Sequence, residues 1–339
     1  MTRARSRVAL FGAVLASSAL AAPACDRARE PESRPAPAAP NRPPGAPSSA
    51  PVAPAASAAA RAPATARLVA IGDLHGDLAQ TRAALRLAGA IDEEDDWIGK
   101  SLIVVQTGDE LDRGDDEEGI VALFESLAKK AERAGGRVVV LDGNHDVMNV
   151  QGDFRYVTRG GFIAFERFAP EPGAAPELER FPVHARGRAA AMRPGGAFAL
   201  RLAERNVIEV VGDTVFVHGG VLLRHLDYGV ERINRETRAW MRGEGPLPAV
   251  MNGEDAPTWA RDYSQGEPSA EACDELGRVL ARLGAKRMVV GHTVQEAGIT
   301  SACDERVWRI DVGLSRYYGG KTAVLEIDGD RVRPLTTAK

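Results

Sequence analysis

Residues 102–114 read LIVVQTGDELDRG. Leu102 to Thr107 is an apolar run of strand length. Gly108-Asp109-Glu110-Leu111-Asp112-Arg113-Gly114 follows with no spacer, so four charged side chains leave the end of a buried strand. The downstream pattern is helical: Ile120, Leu123, Phe124, Leu127 and Ala131 recur at helix spacing, and Gly135-Gly136 stops the run. A second strand signal, RVVVL at residues 137–141, then runs directly into Asp142-Gly143-Asn144-His145-Asp146. Upstream, RLVAI at 67–71 ends in Gly72-Asp73-Leu74-His75-Gly76, and residues 80–89 form an Ala/Leu helix closed by a glycine. Strand–helix–strand alternation predicts an α/β fold with a largely parallel sheet covered on both faces.

Later strand signals are TVFV at 214–217, RMVV at 287–290, VWRID at 307–311 and AVLEI at 323–327. The first of these ends in His218-Gly219-Gly220 and the second in Gly291-His292-Thr293. Between residues 150 and 195 the periodicity is lost, which reads as an inserted cap or substrate loop. Five strands therefore end in residues of the metal-ligand type. In an open α/β sheet such loops converge on one crevice at the carboxyl ends of the strands. Four of the six histidines sit in these loops. Carboxylate, amide and imidazole donors gathered there favour Mn, Fe or Zn over Mg, which prefers an all-oxygen shell. His184 and His225 lie outside the set and read as exposed or structural. The acidic runs at 93–96 and 115–118 read as a solvated turn and as carboxylates favouring a helix N-terminus.

The ordered set GD-x-HG, GD-x-x-DRG, GNH, HGG and GH resembles the calcineurin-like metallophosphoesterases, and within them the phosphoprotein phosphatase branch. DWIG at 96–99, HLDYGVERIN at 225–234, WARDYS at 259–264 and DVGLSRYYGG at 311–320 are similar to the Shewanella-like protein phosphatases. Asp146 stands where the eukaryotic branch has Glu, and Glu110-Leu111 where it commonly has Tyr-Val. Neither departure touches a metal ligand. The resemblance implies a β-sandwich of mixed sheets flanked by helices, and a dimetal-dependent phosphomonoesterase. It implies that Asp73 and His75 bind one metal, that Asp109 bridges both, and that Asn144, His218 and His292 complete the second site. A hydroxide held between the ions would attack phosphorus in line. His145 would be the general acid, oriented by Asp112. Arg113, Arg261 and Asn144 would bind the phosphate. The implied substrate is a phosphoprotein or phosphopeptide, with serine/threonine and tyrosine both open. A nucleotide or dinucleoside-polyphosphate hydrolase shares the metal motifs, and a non-catalytic metal-binding envelope module is the remaining alternative.

The chain has 339 residues, 43 Lys plus Arg and 47 Asp plus Glu, for a net charge of −4. That balance gives no electrostatic case for a nucleic-acid partner. Arg3, Arg5 and Arg7, the uncharged run from Val8 to Ala22, and small residues at 22 and 24 read as a signal peptide over residues 1–24. Cys25 follows, so either plain cleavage or a lipid anchor at Cys25 fits. Ten of the 21 prolines fall between Glu30 and Arg67, in a stretch without an aromatic residue. Residues 25–66 therefore read as a disordered linker, and 67–335 as the catalytic domain. The expected location is the periplasm or cell envelope. There Cys273 and Cys303 can pair, or they can remain buried thiols.

Overall fold

The computed structural model describes residues 67–337; the signal-peptide, linker and Cys25 readings lie outside the described residues. β1 (Leu68–Ile71), α1 (Leu78–Leu87), β2 (Ile103–Gln106), α2 (Glu117–Arg133) and β3 (Arg137–Val140) follow the alternation expected. β1, β2 and β3 are parallel neighbours. The C-terminal hairpin of β9 (Ala323–Asp328) and β10 (Arg331–Thr336) adds to β1 antiparallel, giving the order β10-β9-β1-β2-β3. The second sheet has the order β4-β5-β6-β8-β7, from β4 (Ile208–Val211), β5 (Thr214–Val217), β6 (Arg287–Val290), β7 (Thr300–Ala302) and β8 (Val307–Arg309). β5, β6 and β8 are parallel, while β4 and β7 are antiparallel edges. Both sheets are thus mixed, and antiparallel strands frame the parallel centres.

The two-residue period of the strands explains the layers. Leu68 and Ala70 of β1 and Ile103 and Val105 of β2 face Phe216 of β5, Val289 of β6 and Trp308 of β8, forming the core between the sheets. The alternate residues Val69, Ile71 and Val104 turn outward onto Leu85 of α1 and Ile120, Phe124 and Leu127 of α2. Val215 and Val217 turn outward on the other side. They meet Ile233 and Trp240 of α8 (Val230–Met241) and Leu276 and Val279 of α9 (Ala270–Leu283). A sandwich of two sheets with helices outside is the fold the motifs imply.

Residues 150–195 carry short helices, α4 (Arg159–Ile163) and α5 (Arg186–Met192), which follow α3 (Asn144–Gln151); the short α6 (Ala199–Leu202) and α7 (Leu223–Tyr228) flank the β4–β5 hairpin. Phe165, Ala191 and Met192 of this stretch pack in the same apolar cluster as Val215 and Val217. Cys273 of α9 and Cys303, in the turn between β7 and β8, form a disulfide with a Cα–Cα distance of 5.3 Å. No helix among the described residues is long and apolar enough to cross a membrane.

Candidate active site

The loops after β1, β2, β3, β5 and β6 deliver their polar residues to one crevice. The backbone there is held in uncommon conformations: His75, Asp109, Asp112, Arg113 and His292 all have positive φ, between 45° and 69°. Non-glycine residues adopt that region rarely, and such outliers concentrate at functional sites. Close approach also demands glycine. A Cβ on Gly143 would collide with Asp109 Oδ1, and one on Gly291 with Asp73 Oδ1.

Asp109 is central. Its Oδ1 accepts the backbone N–H of His145 at 2.9 Å. Its Oδ2 faces His218 Nε2 at 3.2 Å, His75 Nε2 at 3.8 Å and His145 Nε2 at 3.9 Å. Two trios of ligand-type side chains share it: His75, Asp109 and His145, and Asp109, His218 and His292, with ligand atoms within 4.8 Å of one another. Asp73 Oδ2 lies 3.9 Å from His75 Nε2, and both Asp73 oxygens accept the backbone N–H of His292. Asn144 Oδ1 lies 2.9 Å from His218 Nε2.

Backbone carbonyls set the tautomers. His75 Nδ1–H donates to Leu111 O at 3.1 Å, and His218 Nδ1–H to Thr107 O at 2.9 Å. A carbonyl only accepts, so both rings turn Nε2 toward the crevice, the arrangement that orients a ligating histidine.

The electrostatics ask for a cation. Burial and the charge of Asp311 push Asp73 well above the usual carboxylate range. Burial works against the charge on Asp109 too, yet His218 and His145 hold its carboxyl well below that range. Burial opposes the charge on His218, but Asp109 and Asp73 raise it to about 10. Burial, helped by the charge on His218 and Arg261, drives His292 far down, and its Nε2 is buried with no hydrogen-bond partner among the described residues. A metal with bonds of about 2.0–2.2 Å spaces its donors roughly 3–4 Å apart, as these are spaced. The donor set fits divalent metal.

Beside the trios, His145 Nδ1–H donates to Asp112 Oδ2 at 2.5 Å, leaving Nε2 toward the crevice. Arg113 Nη1 donates to His75 Nε2 at 2.7 Å, and the guanidinium lies 4.9 Å from the Tyr156 ring, 5.1 Å from Tyr318 and 5.8 Å from Tyr317. Arg261 stacks on Trp259, whose ring meets His292 edge-on at 5.5 Å. The two arginines therefore flank the crevice from the His75 and His292 sides. All ten residues singled out from the sequence come together here.

A family model described as calcineurin-like phosphoesterase matches residues 66–296. The chain belongs to that family. It is a metallophosphoesterase, a hydrolase of a class that works with divalent metal. The chain is 42% identical over 303 residues to Shewanella-like protein phosphatase 2 of Arabidopsis thaliana, covering 80% of this chain and 78% of the relative. It is 30% identical over 280 residues to Shewanella-like protein phosphatase 1 of Plasmodium berghei, covering 79% and 74%. Among solved structures, the cold-active protein-tyrosine phosphatase of a psychrophilic Shewanella superposes with a TM-score of 0.65 at 25% identity, over 81% of this chain and 80% of that one.

Sequence reasoning left other members of this metallophosphoesterase site unassigned. Asp311, 2% exposed, sits beside Asp73 and accepts the Gly313 N–H at 3.0 Å; burial raises it to about 6. Its signal was the strand-end position after VWRI, the same signal that marked Asp73. Tyr317 and Tyr318 lie in the DVGLSRYYGG segment, which the sequence marked without assigning them a role, and Tyr156 carried no periodic or motif cue. Glu117, read as a carboxylate favouring a helix N-terminus, does stand in the first turn of α2, and it is also buried against Arg188. His225 is structural: its Nδ1 accepts the Leu222 N–H and its Nε2 donates to Asp255 O. His184 is exposed, edge-on to Phe162.

Proposed function

We propose that this metallophosphoesterase is a phosphoprotein phosphatase with a preference for phosphotyrosine, and that manganese is its metal, with iron or zinc as substitutes. The observation that carries the reading is the mouth of the crevice. Arg113, a planar fork suited to phosphoryl oxygens, is ringed by Tyr156, Tyr317 and Tyr318 next to the His145–Asp112 pair. Tyr317 is 65% exposed, so an aromatic face is offered to an incoming ring. A cleft of about 630 Å³ continues past Arg113 and Tyr317 to Arg159 and Arg316, with room for a polypeptide. The names of the relatives support the same substrate class.

Asp73, His75, Asp109, Asn144, His218 and His292 would hold two metal ions. Such ions supply Lewis acidity and a nucleophile at neutral pH. Arg113 and Arg261 grip the phosphoryl oxygens from opposite sides, with Asn144 beside them. Asp112 holds His145 Nδ1–H, so Nε2 presents a proton to the departing phenolate or alkoxide. The deciding assay gives metal-loaded protein phosphotyrosyl, phosphoseryl and phosphothreonyl peptides beside dinucleoside tetraphosphate. Highest kcat/KM on the phosphotyrosyl peptide is expected. A preference for the dinucleotide would overturn the substrate class.

The reading includes export to the periplasm or cell envelope, through residues 1–24, on a linker that Cys25 can anchor to lipid. The Cys273–Cys303 disulfide supports an oxidising compartment. Intact-mass measurement of protein purified from the producing cell tests this. A chain starting at residue 25 is expected, with or without an acyl mass, and an intact Met1 terminus in the cytoplasm contradicts it.

A further inference from the structure

Behind His145 lies a second group of charged residues, of which only Asp112 belongs to a sequence motif. Asn149 sits one helical turn beyond His145 on α3 and faces the same way. Its Nδ2 donates to Asp112 Oδ1 at 3.0 Å and to His145 O at 2.9 Å. Its Oδ1 accepts from Arg188 Nε at 2.8 Å. Arg188, on α5, also forks onto Glu117: Nη1 donates to Oε2 at 2.5 Å and Nη2 to Oε1 at 2.9 Å. Nη1 further donates to Gly161 O at 3.1 Å, and Nη2 lies 3.6 Å from Asp112 Oδ1. Glu117 Oε1 in turn accepts the backbone N–H of Asp112 at 2.6 Å. Arg188 and Asp112 are both 0% exposed.

Apart from the bond to Gly161 O, every path out of this guanidinium ends on Asp112. Through Glu117 it fixes the Asp112 main chain, through Asn149 the side-chain oxygen turned away from His145, and through its own charge the anion itself. A buried carboxylate without a paired cation is disfavoured and reorients or takes a proton. Phe165 packs 4.8 Å from the guanidinium carbon and limits its movement.

We propose that Arg188 is a positioning residue for the leaving-group proton: it holds Asp112 aimed at His145 Nδ1, and so keeps His145 Nε2 aimed into the crevice. Residues 150–195, read from sequence as an insertion, would then supply part of the catalytic apparatus. The inference rests on the reading of His145 as general acid.

The test compares phenyl phosphate, a poor leaving group, with p-nitrophenyl phosphate, a good one, in the metal-loaded full-length protein. Arg188→Met is expected to lower kcat about 10–100-fold on phenyl phosphate, a share of what acid catalysis contributes, and only a few-fold on the nitrophenyl ester. Arg188→Lys should lie between it and wild type. In a His145→Asn background, Arg188→Met should cost nothing further, because the group it positions is gone. Equal losses on both esters, or losses that multiply with those of His145→Asn, would overturn the proposal. Should Arg188→Met not fold, Asn149→Ser cuts one path to Asp112 and is judged by the same two criteria. If His145→Asn itself fails to discriminate between the esters, the general-acid reading falls and takes this inference with it. If His145→Asn discriminates and the Arg188 and Asn149 variants do not, only the role of Arg188 falls.

Discussion

Two buried charge clusters lie back to back in this protein and are neutralised in opposite ways. Behind His145, Asp112 and Glu117 meet the chain's own cation, and the Arg188 fork is saturated by carboxylate, amide and carbonyl oxygens. In the crevice, Asp73, Asp109 and Asp311 converge with His75, His218 and His292, and His292 Nε2 has no hydrogen-bond partner among the described residues. The first cluster is closed by the sequence itself and serves geometry. The second leaves the His292 ligand atom uncommitted, its loops held by positive-φ residues, and serves chemistry. Asp112 belongs to the first and touches the second through His145. The contrast implies that crevice variants cost activity with little stability, while interior variants cost stability and reach activity only through Asp112 and His145.

The largest effect should come from Asp109→Asn. It removes the oxygen both trios share, so activity on aryl phosphate should fall on the order of 10⁴-fold, with bound metal lost in parallel. Its thermal midpoint in chelator should stay near that of wild type. A collapse of stability with metal retained would erase the distinction between the clusters.

His145→Asn sits at the junction. It should keep its metal and lose about 10²–10⁴-fold in kcat on a poor leaving group, with a smaller loss on nitrophenyl phosphate. Loss of metal content on elemental analysis would move His145 into the ligand set, where its membership of the first trio already draws it.

Glu117→Leu reads the interior cluster. It removes the carboxylate forked onto the buried Arg188 guanidinium, at a cost of about 3–5 kcal/mol of folding stability. For a domain of this size that lowers the midpoint by roughly 10 °C. His292→Ala should leave the midpoint unchanged or raise it in the absence of metal. Equal destabilisation by the two would show the crevice to be as structural as the interior.

The smallest effect is Tyr317→Ala. An aromatic contact contributes about 0.5–1.5 kcal/mol beyond its area, so kcat/KM on a phosphotyrosyl peptide should fall roughly 2–10-fold. A phosphoseryl peptide should be unaffected, and an equal drop on both would assign Tyr317 to general peptide binding.

The same contrast explains what the sequence made legible. β1, β2, β5 and β6 are buried along their whole length, so each is an apolar run ending abruptly in its site residue. The site residues lie within a few positions of those runs, and short local spacing is what a linear reading detects. β10 has charged, mostly exposed residues and Pro334, while β7 is three small, largely polar residues; as edge strands neither carries a periodic signal. The predicted parallel sheet became two mixed sheets because these edges, with β4 and β9, pair antiparallel. Arg188 was invisible for another reason. Its partners Glu117 and Asn149 are 71 and 39 residues away, and nothing local separates it from Arg186, whose side chain caps the carbonyl of Phe181.

The central claim is that the crevice is a two-metal phosphomonoesterase centre built from the strand-end loops. Its most direct test is metal titration of chelator-stripped protein, following bound metal and hydrolysis of a phosphotyrosyl peptide in the same samples. Activity should be absent after stripping and return with manganese, saturating at about two ions per chain, as a two-metal centre requires. Undiminished hydrolysis in the stripped protein, or full metal binding by Asp109→Asn, would contradict it.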